Sequence, residues 1–172
     1  MYTRSWIEPL NVKSRKGWLD CCNNQMAWDH FLPLFDRIIS LASIIVDSSC
    51  TYHGSNSRFC LDSNIVAPLY AVAHRCRDPL IRRKAVSLLR KSHRQEGIWD
   101  SMIATKAAEI VIAIEEEGFG NVTSCADIPD WARICDVKVN FDTEGRVGTL
   151  NFSRPKNGME NGRPTTVETF TW

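Results

Sequence analysis

The sequence has no Cys-x-x-Cys pair, no glycine-framed serine, no phosphate-binding loop and no excess of one charge: 21 Lys and Arg face 20 Asp and Glu, a formal net charge of +1. Each absence removes a class of function. Near-neutral charge argues against a whole-chain electrostatic footprint for nucleic acid or an anionic membrane, so any such case must rest on a local cluster. The opening Met1 to Leu10 has no apolar h-region, because Arg4 and Glu8, then Lys13, Arg15 and Lys16, interrupt every short hydrophobic run. The longest apolar segment, Phe31 to Val46, contains Pro33, Asp36 and Arg37 and falls short of the roughly 20 clean residues of a membrane span. The chain therefore reads as soluble. Seven cysteines (Cys21, Cys22, Cys50, Cys60, Cys76, Cys125, Cys135) are an odd, scattered set, which fits reduced thiols in cytosol or nucleus better than a disulfide framework.

What is present is helical patterning. At 172 residues the chain suits one cored domain with frayed ends. From Phe31, Leu34, Phe35, Ile38, Leu41, Ala42 and Ile45 recur at helical spacing, and Ile39, Ile44 and Val46 add a second apolar side, so this helix is expected to be deeply packed. Asp47 to Arg58, with Gly54 among Ser and Asn, is loop chemistry. A second helix carries Ile65, Leu69, Val72, Ala73 and Cys76, with Ser63 as its candidate cap and Pro68 confined to its first turn. Asp78-Pro79 opens a third, with Ile81, Ala85, Leu88 and Leu89 as its buried stripe. Asp100 or Ser101 caps a fourth, carrying Ile103, Ala107, Ile110, Val111 and Ile114 and stopped by Gly118. The short connection between the third and fourth predicts an antiparallel helix pair.

The period then changes. Val137, Val139 and Phe141 alternate with polar residues, Asp142 to Gly145 turns the chain, and Val147 to Phe152 returns it as a β-hairpin. A lone hairpin is marginal in water and must pack on the helices or pair with another strand, for which Val167 to Trp172 is the remaining candidate. The expected fold class is mainly α, packed antiparallel helix pairs in a solenoid-like arrangement with a small C-terminal β-hairpin. Residues 1–25 are expected to form a poorly defined N-terminal segment, 26–154 the helical domain ending in the hairpin, and 155–172 a flexible tail with room for a last short strand.

Some strings are too particular to be helix filler. They are Pro68-Leu69-Tyr70, Cys76-Arg77-Asp78-Pro79, Arg82-Arg83 and Glu96-Gly97-Ile98-Trp99-Asp100, followed by Glu115 to Glu117 and Ile128-Pro129-Asp130-Trp131-Ala132-Arg133. Together they resemble the C-terminal region of fungal zinc-binuclear-cluster transcription factors, over roughly residues 60 to 154. The resemblance implies a largely helical regulatory region in the nucleus, working with protein partners or with N-terminal regions of its own longer chain. It implies DNA contact and zinc only through a parent's cluster, which needs six cysteines in one short segment, two of its pairs spaced Cys-x-x-Cys; this sequence has nothing of that kind. The competing reading is a free-standing helical scaffold derived from such a factor, in nucleus or cytoplasm. An enzyme is not expected, and no catalytic, cofactor or metal residue is assigned.

The basic run Arg77, Arg82, Arg83, Lys84, Arg90, Lys91, Arg94 invites a phosphate-binding reading. An intramolecularly paired or solvated face explains it better, because Glu115, Glu116 and Glu117 end the neighbouring helix and no aromatics interleave the cations. His30, His53 and His74 have no ligand spacing, and Trp99 suits an anchor for the interhelical turn. An antiparallel pair brings Glu115, Glu116 and Glu117 near Arg82 and Arg83. Counting 100° per residue from Asp78 puts Arg82 at the edge of the buried stripe, where a guanidinium needs a carboxylate.

Overall fold

The computed structural model describes residues 24–49, 58–60, 65–142, 144–154 and 165–172, with backbone alone at 49 and 58–60. Expectations for residues 1–23, Ser63, His53, the loop around Gly54 and the linker Pro155 to Pro164 lie outside the described residues.

A 3-10 turn, Gln25–Phe31, is capped by Asn24, whose side chain accepts from the Met26 N–H at 3.0 Å. It leads into α1 (Leu32–Ser49), followed by α2 (Val66–Arg75), α3 (Pro79–Ser92) and α4 (Ser101–Glu116). The helix signals are local and hold. Asp78 accepts from the Leu80 and Ile81 N–H groups and Asp100 from those of Met102 and Ile103, each satisfying two donors that a helix start leaves orphaned. Pro79 occupies the first helical position, and Gly118, at φ 84°, takes the left-handed conformation that ends α4. Arg82–Glu115 and Arg83–Glu116 meet at one end of the α3–α4 pair and Arg90–Glu109 further along. Residue numbers thus rise along α3 as they fall along α4, so the pair is antiparallel.

Deep packing of α1 is corrected by half. Phe35, Ile39, Ala42 and Val46 are buried, but Leu34, Leu41, Ile44 and Ile45 face outward. Two apolar stripes run along this helix, and periodicity alone cannot say which enters the core.

Two small sheets are found among the described residues. β1 (Arg58–Cys60) pairs parallel with β2 (Arg94–Glu96), which pairs antiparallel with β3 (Trp99–Asp100) across a two-residue turn where Gly97 has φ 58°. This sheet is absent from the sequence reading, its strands being too short to show a period. The second sheet is β4 (Cys135–Asp142), β5 (Val147–Ser153) and β6 (Thr166–Thr171), all antiparallel in chain order. The expected hairpin is therefore part of a three-stranded sheet. Its inner residues Val137, Val139, Leu150, Phe152 and Phe170 belong to the same core as the helices. A satellite core of Val122, Ile128 and Ala132, lined by Phe119, lies between α4 and β4.

Candidate functional site

The centre of the molecule is ionic. Glu115, in the last turn of α4, is fully buried with Arg77 and Arg82. Its Oε1 accepts from Arg77 Nη2 at 2.6 Å and the Ile134 N–H at 2.7 Å; its Oε2 accepts from Arg77 Nε at 3.2 Å and Arg82 Nη2 at 2.8 Å. Four donors fill the four lone-pair positions of one carboxylate. Burial drives the Glu115 carboxyl toward protonation, but Arg77 and Arg82 outweigh it and hold its pKa below the ordinary 4.5. Arg77 returns a bond from Nη2 to the Ile134 carbonyl at 3.0 Å and one from Nη1 to the Arg75 carbonyl at 2.8 Å. One carboxylate thus ties together the α2–α3 junction, the start of α3, the end of α4 and the approach to β4.

Of the five residues expected to meet, four come together. Arg82 bonds Glu115 and stands 3.8 Å from Glu116 through Nη1, and Arg83 pairs with Glu116 at 2.5 Å. Glu117 is the exposed C-cap of α4 and makes no ion pair among the described residues. Arg77, the partner that grips Glu115 with two nitrogens, was singled out in the sequence as a motif residue but not as a member of the cluster. It precedes α3, so helical counting is silent about it. Arg82 is held less completely: its Nε and Nη1 are buried with no hydrogen-bond partner among the described residues, and burial lowers its pKa. Of the rest of the basic run, Arg90 pairs with Glu109, Lys91 with Asp47 and Arg94 with Glu96, while exposed Lys84 makes no ion pair among the described residues.

The other motif residues build a second junction. Glu96, fully buried on β2, accepts from the Ile65 N–H at 3.1 Å and the Val66 N–H at 3.0 Å. It caps α2 from 30 residues away in sequence, where Ile65, at the N-cap position, has no side chain able to do so. Pro68 is the third residue of α2, while Leu69 and Tyr70 are buried. The Tyr70 ring stacks on His74 at 4.8 Å and meets Trp99 at 5.9 Å, so Trp99 anchors β3 against α2. His74 Nδ1 lies 2.9 Å from the Tyr70 carbonyl oxygen. Burial, aided by Arg75, holds the His74 pKa well below 6.5, and burial pushes the Cys76 thiol up to about 12. Cys76 is a core residue at 1% exposure.

A third junction has no counterpart in the sequence reading beyond the Ile128 to Arg133 string. Arg133, fully buried, forks onto Asp29 at 2.8 Å through both terminal nitrogens and donates to the carbonyls of Ile128, Gln25 and Cys125. All five of its N–H groups are used. Asp130 in turn accepts from the Gln25 N–H at 2.9 Å. The two ends of this contact are 104 residues apart, and no local signal announces it. Among the described residues no group of three His, Cys, Asp or Glu converges as a metal site, and no helix is long and apolar enough to cross a membrane. What these ions do is fix the angles between elements.

Comparison with known proteins finds a similar fungal regulator of transcription. Over 107 residues the chain is 35% identical to the Aspercryptin biosynthesis cluster-specific transcription regulator atnN of Emericella nidulans. The match covers 60% of this chain and 17% of that protein's length. No protein-family profile matches the chain, and no solved structure does.

Proposed function

We propose that this chain is the C-terminal regulatory and interaction region of a fungal zinc-cluster transcription factor. It acts on transcription through protein contacts, with partners or with N-terminal regions of a longer chain, in the nucleus. The observation that carries the reading is the 35% identity over 107 residues to a cluster-specific transcription regulator. The placement of the motif residues supports it. Arg77, Arg82, Glu96, Asp78 and Asp100 are ion-pair and capping residues that set helix angles, the kind of constraint a module must keep if its surface is to be recognised. Packed helix pairs stacked in a solenoid-like way suit such a surface. DNA reading and zinc belong to a cluster outside these residues, and the region is not an enzyme.

A DNA titration at physiological salt, with metal analysis of the purified chain, tests the assignment. The expected result is no stoichiometric zinc and no complex that discriminates between DNA sequences, since clustered thiolates and a base-reading element are both needed for that. Tight zinc or a sequence-discriminating complex would overturn it.

A further inference from the structure

Trp131 is the only exposed Phe, Tyr or Trp among the described residues, with 57% of its surface in solvent. Its ring lies 5.6 Å from that of half-buried Phe119, tilted by 43°, and Phe119 packs on the satellite core of Val122, Ile128 and Ala132. The rim of this aromatic pair is acidic. From Glu117 to Ala132 the sequence holds Glu117, Asp127 and Asp130 and no Lys or Arg, and none of the three acids makes an ion pair among the described residues. Asp127 is held in place by the Thr123 and Ser124 N–H groups at 2.8 and 2.9 Å, and Asp130 by the Gln25 N–H at 2.9 Å.

We propose that the segment Lys13 to Trp18 of this same chain docks on the Phe119–Trp131 pair. Two observations choose that occupant. The first is position. The described chain begins at Asn24, and Gln25 is already bonded to Asp130, the neighbour of Trp131. Six residues separate Trp18 from Gln25, a span of roughly 23–25 Å when extended, so the tether delivers the segment to the ring. The second is complementary chemistry. Lys13, Arg15 and Lys16 set three cations against the three carboxylates, and Trp18 adds an indole. A guanidinium or ammonium over the Trp131 face is attracted by the ring quadrupole, and a second indole gains from an offset or edge contact. Neither contact has to be strong. A short flexible tether sets an effective concentration on the order of 1 mM, so pieces with a mutual Kd of about 0.1–1 mM are docked for roughly half to nine-tenths of the time.

Hydrogen exchange on the full chain, read by mass spectrometry over residues 12–20, tests the proposal. At those populations the amides should exchange about two- to tenfold more slowly than their sequence-intrinsic rates. Trp131→Ala, Glu117→Lys and a triple variant, Lys13→Glu with Arg15→Glu and Lys16→Glu, should each return them toward the intrinsic rates. Protected amides in α2 to α4 report that each variant is folded, and if Trp131→Ala disturbs the satellite core the other two decide. Val167→Ala, at an exposed position on β6, should leave the protection unchanged. Wild-type amides exchanging at intrinsic rates would overturn the proposal, as would protection that survives both Glu117→Lys and the triple variant. Protection that grows with protein concentration would place the segment on a second copy and overturn the intramolecular contact.

Discussion

Replacing Arg82 by Ala takes one of two guanidinium groups from Glu115 in a site without water-exposed side chains. The loss has identifiable parts. One charge-assisted hydrogen bond disappears, worth about 1.5–3 kcal/mol, and the packed stem of the arginine leaves a cavity. Two effects work against this. Glu115 keeps Arg77 and the Ile134 N–H, so it is not stranded, and the two unbonded donors on Arg82 vanish with the side chain. The net expectation is about 2–3 kcal/mol, below the roughly 3–5 kcal/mol of breaking a buried pair outright. Glu115→Gln, which leaves buried Arg77 without its carboxylate and buried Arg82 with Glu116 alone at 3.8 Å, should reach that larger figure. Arg90 pairs with Glu109 on the surface, with its side chain 60% exposed, so Arg90→Ala should cost about 0–1 kcal/mol. For a domain of this size each kcal/mol moves the melting temperature by roughly 2–4 °C. Urea unfolding followed by circular dichroism should rank the losses Glu115→Gln, then Arg82→Ala, then Arg90→Ala. Equal midpoints for the two arginine variants would refute the reasoning and reopen α3 as a partner-binding surface.

Acid should destabilise the fold in two stages. The imidazole of His74 is held neutral in the fold while the unfolded chain takes up a proton below its ordinary 6.5, so its contribution is full above about that pH and declines below it. Glu115, with a folded pKa below 4.5, adds stability that is present above that value and lost as pH falls through the folded pKa. Melting temperature against pH should bend near 6.5 and steepen below 4.5; a flat profile between pH 7 and 4.5 would contradict the placement of His74, and no steeper loss below 4.5 that of Glu115. Gly148→Ala tests the last strand. A Cβ there would lie 2.4 Å from Phe170 Cζ, and Phe170 is the one buried side chain of β6. Hydrogen exchange should show β6 amides losing protection while α2 to α4 keep theirs, and unchanged β6 protection would count against that anchoring.

Much of the fold was legible because its punctuation is local. Asp78-Pro79, Asp100 and Gly118 announce helix ends within four residues of sequence, and a short connection makes α3 and α4 antiparallel neighbours. The α1 orientation was not legible, since both stripes are apolar and only tertiary packing chooses between them. Nor were the long-range polar contacts. Glu96 caps a helix 30 residues earlier, and Arg133 meets Asp29 across 104 residues, distances over which periodicity carries no information. Arg82 was placed by its angle on α3. Arg77 escaped because it sits in the extended junction ahead of that helix, where no angle applies.

The most direct measurement of the regulatory assignment is a tethering assay. The chain is fused to an unrelated DNA-binding domain in a fungal host, and transcription from a reporter carrying that domain's site is read against the domain alone. The account predicts output that rises or falls severalfold with the fused chain and returns to baseline with Glu115→Gln, which loosens the junction that sets the helix angles. Unchanged output from a fusion that accumulates intact and folded would contradict it.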